Sequence, residues 1–389
     1  MNTIEKFNDN VMHTYGRFDV VINSGNGRNA KDENGKTYID FGSGIGTNSL
    51  GYCDSEWADA VCAQVRSIQH TSNYYYTSVQ ADFADGLCKT TGYDKVFFGN
   101  SGAEANECAI KIARKYSFDK YGEGRSTIIT LVNSFHGRTL CTLSATGQDH
   151  FHQYFFPFTG GFKHTPANDT EALLKMIEED KSVCAVMIEF IQGEGGVMKL
   201  DEDFVKAIRK ICDEKDLLMI ADEVQTGVGR TGKFLASENF GVKPDITTLA
   251  KGIAGGVPMG ACLALPKCSA VLTPGTHGST FGGNPIACAG GNVVLKKVCS
   301  EGFLDEVNKK SMYIFDKISK MEGVVSVSGM GLMIGITLKE KKAADVVKAA
   351  LDKGLLLLTA KEKVRLLPPL TITYDEIDAG LKILEELFA

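Results

Sequence analysis

Leu217-Leu-Met-Ile-Ala-Asp222 and Ile246-Thr-Thr-Leu-Ala-Lys251 decide the reading of this chain. Each is an apolar run of strand length that ends at a charged residue, and the two charges stand 29 residues apart. Continuous apolar runs of this kind fit strands buried on both faces of a parallel sheet. Ligands of open α/β sheets bind in the crevice beyond the carboxyl ends of such strands, so an acid and an amine at two of these ends would face one crevice. Taken singly, Asp222 reads as a loop cap and Lys251 as a solvated lysine. The surroundings of Lys251 argue otherwise: it lies in Leu249-Ala-Lys-Gly-Ile-Ala-Gly-Gly-Val-Pro-Met-Gly260, whose small residues allow close approach of backbone to a ligand.

Outward from this pair, residues 56–284 alternate between amphipathic stretches and short apolar runs. That pattern predicts successive βα units and a large, mainly parallel sheet between helices. The runs are Lys95-Val-Phe-Phe98, Thr127-Ile-Ile-Thr-Leu-Val132, Val183-Cys-Ala-Val-Met-Ile188 and Ala261-Cys-Leu-Ala-Leu265, besides the two above, with helical periodicity from Asp203 to Glu214. Beyond Pro285 the pattern changes to two long helical stretches reaching about Lys320, strands within Val324 to Thr337 and Leu355 to Thr359, and a closing helix from Tyr374 to Phe388. Residues 285–389 are therefore expected to form a smaller α+β domain. Residues 1–55, with turn signals and the strand Thr37-Tyr-Ile-Asp-Phe41, are expected to pack against it.

Three further stretches sit at predicted strand ends. Asn100-Ser-Gly-Ala-Glu104 opens a helix after Val96-Phe-Phe98; Ser101 and Glu104 fit a capping box, and Gly102 is left over. A phosphate seated on the free first-turn N–H groups accounts for all three. Ser134-Phe-His-Gly-Arg-Thr139 offers Phe135, which with Val224 could cover the faces of a planar ring, and Arg138, whose guanidinium matches a carboxylate. Glu189-Phe-Ile-Gln-Gly-Glu194 supplies acids, and Val364-Arg-Leu-Leu-Pro-Pro-Leu370 places Arg365 in apolar company, where it needs a partner; Glu194 is the candidate. An acid, an amine, a phosphate seat and a ring-covering aromatic point to pyridoxal phosphate, whose ring nitrogen is held by a carboxylate and whose aldehyde carbon is carried by a lysine.

Composition sets outer bounds. The 389 residues are 43% hydrophobic and 23% charged, ordinary for a globular enzyme. A net charge of -6 gives nucleic acid no electrostatic footing. No apolar run approaches the roughly 20 residues that span a bilayer, and the polar start carries no secretory pattern, so a cytoplasmic location is expected. Eleven cysteines without any C-x-x-C, the nearest two being Cys262 and Cys268, read as small buried apolar residues in a reducing compartment. No metal site is expected, His150 and His152 lacking partners at a ligand-motif spacing. Gly227-Val-Gly-Arg-Thr-Gly-Lys233 fits two nucleotide-loop patterns, but Phe234 stands where Mg²⁺ needs a hydroxyl, and no strand-end acid follows at the dinucleotide spacing.

The set Asn100 to Glu107, Phe135 to Arg138, Ile191 to Glu194, Ala221 to Gly227, Ala250-Lys-Gly252 and Gly278 to Pro285 resembles the class III aminotransferases of fold type I, over nearly the whole chain and in the same order. Within that class it looks most like enzymes acting on acetylornithine, through His70 to Thr77, Phe135 to Thr139 and Ser144 to Gly147. The resemblance implies that Lys251 carries pyridoxal 5'-phosphate, Asp222 pairs with the ring nitrogen, Gln225 contacts the ring hydroxyl, and Phe135 stacks on the ring. Ser101, Gly102 and Ala103 would hold the phosphate, and Thr280 would reach the phosphate of a neighbouring subunit, so a homodimer with its active site at the subunit interface is implied. Arg138 would take the substrate α-carboxylate with Ser279 nearby, and Arg365 would bind 2-oxoglutarate and pair with Glu194 when the amino donor is bound. Three departures stand out: Gly51-Tyr-Cys-Asp-Ser55 for Gly-His-x-His-Pro, Phe190 for Pro, and Ile45 where ornithine δ-aminotransferases place a Tyr. The last favours a donor whose α-amino group is acylated.

Overall fold

Seven strands form the central sheet of the computed structural model, which describes all 389 residues. In spatial order they are Lys95–Gly99, Gly260–Ala264, Ile246–Leu249, Leu218–Asp222, Val183–Ile188, Thr127–Leu131 and Phe162–Thr165. All neighbours run parallel except Gly260–Ala264, which is antiparallel to both of its partners. Five of the seven strands are buried along their whole length. Their two faces separate cleanly: Val186, Ile188, Met219 and Ala221 pack with Phe204, Val205 and Ile208 of the helix Glu202–Lys215, while Ala185, Met187, Leu218 and Ile220 pack with Ala109 and Ile112 of the helix Gly102–Tyr121. This sandwich of helices around a mainly parallel sheet is the α/β architecture the apolar runs predict.

Differences from the predicted elements have local causes. The edge strand Phe162–Thr165 is buried only at Thr165, and its Phe-Lys-His-Thr sequence carries no apolar run. Val324 to Thr337 is a hairpin of Val324–Met330 and Met333–Leu338, turning at Gly331, whose φ of +59° suits glycine. Leu355 to Thr359 divides between two sheets: Leu355–Leu356 pairs parallel with Thr37–Asp40, and Leu358–Ala360 pairs antiparallel with Lys363–Leu366. The strand Lys363–Leu366 and the helix Ala343–Asp352 join the predicted elements as additions. Phe303–Ile318 and Tyr374–Phe388 form as expected, the latter with a capping box between Thr373 and Glu376. Pro285–Val298 packs on Ser55–Ser67 and Ser78–Thr91.

The cysteines need a correction. All eleven are free, but Cys53, Cys62 and Cys299 are exposed; the first lies in a loop and the others face outward. No three His, Cys, Asp or Glu side chains converge as a metal site.

Candidate active site

A cavity of about 440 Å³ opens at the carboxyl ends of the central strands. Its walls include Ser101, Gly102, Ala103, Phe135, Arg138, Glu194, Asp222, Val224, Gln225 and Lys251. Asp222, the last residue of Leu218–Asp222, is buried and receives three hydrogen bonds. Oδ2 accepts from His136 Nδ1 and Asn106 Nδ2, each at 2.8 Å, and Oδ1 accepts from the Val224 amide at 3.0 Å. Thr248 Oγ1 donates to Asn106 Oδ1 at 2.6 Å, which turns the Asn106 amide nitrogen toward the carboxylate. Such charge-assisted bonds hold a carboxylate in one orientation.

Lys251 begins a 3-10 turn with φ of +48°, a left-handed conformation that is costly for a side-chain-bearing residue. Burial pushes its amine down to about 8, against the Glu194, Asp222 and Glu189 carboxylates, which favour the charged form. The amine is thereby brought toward a neutral, nucleophilic state near physiological pH. Glu189 moves the other way: burial, reinforced by Asp222, raises its carboxyl well above the usual range. It nevertheless accepts from the Phe135 amide at 2.9 Å, linking the Phe135 loop to the strand end before Glu194.

The helix start at Ser101 departs from the expected capping box. Ser101 Oγ accepts from the Glu104 amide at 3.2 Å, but the Glu104 carboxylate reaches past Ser101 to the Asn100 amide at 2.7 Å. The N–H groups of Ser101, Gly102 and Ala103 are left pointing out of the 20-residue helix Gly102–Tyr121 without acceptors in the chain. Gly102 also has a packing reason: a Cβ there would lie 2.7 Å from Val224 Cγ1.

Arg365 is buried on Lys363–Leu366 and bonds through Nη1 to Glu194 Oε1 at 2.5 Å and to Gln225 Oε1 at 3.2 Å. Burial alone would raise the Glu194 carboxyl, yet the charge and hydrogen bond of Arg365, with Lys251 and Gln225, together outweigh it and hold it below the usual value. Phe190 is fully buried and stacks on Phe240 at 4.9 Å, so its bulk goes into the core behind this loop. Ser279 and Thr280 stand apart from the cavity lining. Ser279 Oγ accepts from Asn100 Nδ2 at 3.1 Å, and Thr280 lies in a small crevice with His70, Asn73 and Gln80. Ile45 sits two residues before the cavity-lining Thr47, in a turn where both it and Gly44 have φ of +62°.

Asn106 and His136 join the site beyond the residues given roles from the sequence, and Glu189, read there only as a strand-end acid, lines it as well. Asn106 carries a usable signal, a polar residue in the apolar stripe of a helix. Gly227 to Lys233 serves packing: a Cβ at Gly229 would lie 2.9 Å from Val298, and Arg230 is buried with Nη1 donating to the Leu332 carbonyl at 3.0 Å.

A buried amine of lowered basicity, an acid held by three hydrogen bonds and free amides at a helix start fit pyridoxal 5'-phosphate in its attachment point, ring nitrogen and phosphate. The fold and this arrangement define a pyridoxal-phosphate-dependent aminotransferase. Residues 11–388 match the model of the family described as aminotransferase class-III, and the chain belongs to that family. It is 50% identical over 380 residues to an acetylornithine aminotransferase of Haemophilus ducreyi, covering 97% of this chain and 96% of that protein. Among solved structures it is similar to the Toxoplasma gondii ornithine aminotransferase, with a TM-score of 0.94 and 32% identity over 99% of this chain and 94% of that one. It is also similar to the Stenotrophomonas maltophilia N-acetylornithine aminotransferase, with a TM-score of 0.85 and 36% identity over 96% of both chains.

Proposed function

We propose that this enzyme moves the terminal amino group of N2-acetyl-L-ornithine to 2-oxoglutarate, giving N-acetylglutamate 5-semialdehyde and glutamate, as a step of arginine biosynthesis. The observation that carries this is the Glu194–Arg365 pair, whose Glu194 lines the same cavity as the unpaired Arg138. One guanidinium is always free for an α-carboxylate. The other is masked by Glu194 for a donor with one carboxylate and unmasked for a dicarboxylic acceptor. The names of the relatives and the Ile45 departure support an acylated ornithine as donor.

Bound pyridoxal phosphate supplies an aldehyde carbon for amines and a ring that draws electrons from the substrate carbon. Asp222 would keep the ring nitrogen protonated, its orientation fixed by His136 and Asn106. Phe135 would cover one ring face and Val224 the other, Gln225 would meet the ring hydroxyl, and Ser101, Gly102 and Ala103 would bind the phosphate. Lys251 would attach the cofactor, be displaced by the donor amine, and then carry the proton from the donor's terminal carbon to the cofactor carbon. A positioned base of this kind contributes roughly a hundred- to ten-thousandfold.

The enzyme is further proposed to act in the cytoplasm as a homodimer, divided into 1–55, 56–284 and 285–389, with Thr280 reaching the partner's phosphate and Ser279 near the substrate. The exposed Tyr74, Tyr75, Tyr76 and Phe281 support a covered face beside Thr280. No helix is long and apolar enough to cross a membrane. The test mixes yellow holoenzyme with acetylornithine, succinylornithine, succinyldiaminopimelate, ornithine and 4-aminobutyrate in turn. Acetylornithine should bleach the cofactor band fastest and 2-oxoglutarate should restore it; faster bleaching by another donor rejects the assignment.

A further inference from the structure

Arg138 makes no ion pair and no side-chain hydrogen bond within the chain, although it is the guanidinium proposed to meet the substrate. What it touches is aromatic. Its guanidinium carbon lies 4.2 Å from the centroid of the Phe151 ring and 5.4 Å from that of Phe135. Phe151 stands edge-on to Phe135, centroids 5.9 Å apart, and is backed by His150 at 3.9 Å. Its 3-10 turn, Asp149–Phe151, is tied to the Arg138 loop at its base: Gln148 Nε2 donates to the Ser134 carbonyl and the Gly147 amide to Ser134 Oγ, both at 3.0 Å. On the far side His152 Nε2 lies 2.9 Å from the Leu143 carbonyl oxygen.

A guanidinium has two kinds of surface. Its five N–H bonds lie in the plane, and its faces carry no donor. A protein carboxylate holding Arg138 would occupy the planar fork that a substrate carboxylate needs. An aromatic ring holds the charge from outside that fork and leaves it free. We infer that Phe151 is a positioning residue for the amino substrates, its ring fixing the Arg138 guanidinium so that the fork is presented to the substrate α-carboxylate. This rests on the proposed role of Arg138.

The test compares holoenzyme carrying Phe151→Leu, Phe151→Tyr or Arg138→Ala. Leucine keeps apolar bulk and removes the π face; tyrosine keeps both. Calorimetry with N2-acetylnorvaline, which has the α-carboxylate but no terminal amine, should show Phe151→Leu weakening binding by about three- to thirtyfold, the range of one cation–π contact. KM for acetylornithine and glutamate should rise similarly with little change in kcat, and Phe151→Tyr should restore both. Bleaching of the cofactor band by pentylamine, which has no carboxylate, should be the same in the parent enzyme and Phe151→Leu. If Arg138→Ala weakens binding and Phe151→Leu does not, the inference is wrong and the role of Arg138 stands. Equal loss with pentylamine also overturns it, because the damage is then general. If Arg138→Ala itself leaves N2-acetylnorvaline binding unchanged, the carboxylate role fails and takes the inference with it.

Discussion

Lys251 illustrates how one residue's surroundings set its chemistry. The unfolded chain holds this amine at its ordinary value of 10.5, and the folded protein without cofactor holds it at about 8. Between those values the unfolded chain binds more protons, so this group's contribution to stability improves as pH rises through the window. Capture of pyridoxal phosphate by the cofactor-free protein should correspondingly quicken with pH and level off above about 8, as stopped-flow absorbance can follow. Lys251→Ala should fold but not turn over. For Asp222→Asn we expect a large fall in the half-reaction rate with cofactor still detectable by absorbance. Asp222 and Lys251 are legible in the sequence because they are charges ending apolar runs. Asn106 shows only as a polar residue in an apolar helix stripe and His136 less, since their role depends on meeting one carboxylate from two elements about 30 residues apart, Asn106 on the helix and His136 in the loop beyond the next strand.

At the scale of elements, legibility follows burial. Strands covered on both faces announce themselves as apolar runs, and Val183–Ile188 and Ile246–Leu249 have the boundaries those runs predict. Phe162–Thr165 and Lys363–Leu366 mix charge with apolar residues, so neither announces itself. The second matters more, because it carries Arg365. The join between the helix Gly102–Tyr121 and the loop after Asp222 can be probed directly. Gly102→Ala should crowd Val224 at a cost of about 1–3 kcal/mol, seen as weaker cofactor retention in equilibrium dialysis, and Val224→Ala in the same chain should recover part of the loss. Phe41 is fully buried against Gly380 of the closing helix. Phe41→Ala should therefore cost about 3–5 kcal/mol in urea unfolding.

For the molecule as a whole, the site is assembled from distant parts of the chain. Arg365 comes from the strand Lys363–Leu366, Glu194 from the loop after Val183–Ile188, and Lys251 from the end of Ile246–Leu249. Arg365→Ala should raise KM for 2-oxoglutarate at least about tenfold, the scale of losing one charge-assisted bond, while bleaching by the amino donor changes less. Steady-state and half-reaction kinetics separate the two. Tyr75→Glu with Tyr76→Glu should shift the sedimenting species toward a monomer and reduce activity if these aromatics lie between subunits.

The pairing of Thr37–Asp40 with Leu355–Leu356 has a consequence for how the chain is made. Thr37–Asp40 cannot gain this neighbour until Leu355–Leu356, far later in the chain, has been translated. Closing so long a loop is entropically unfavourable and slow. The central strands between them can meanwhile assemble from residues already synthesised, so Thr37–Asp40 waits without its last partner, open to proteases in the interval.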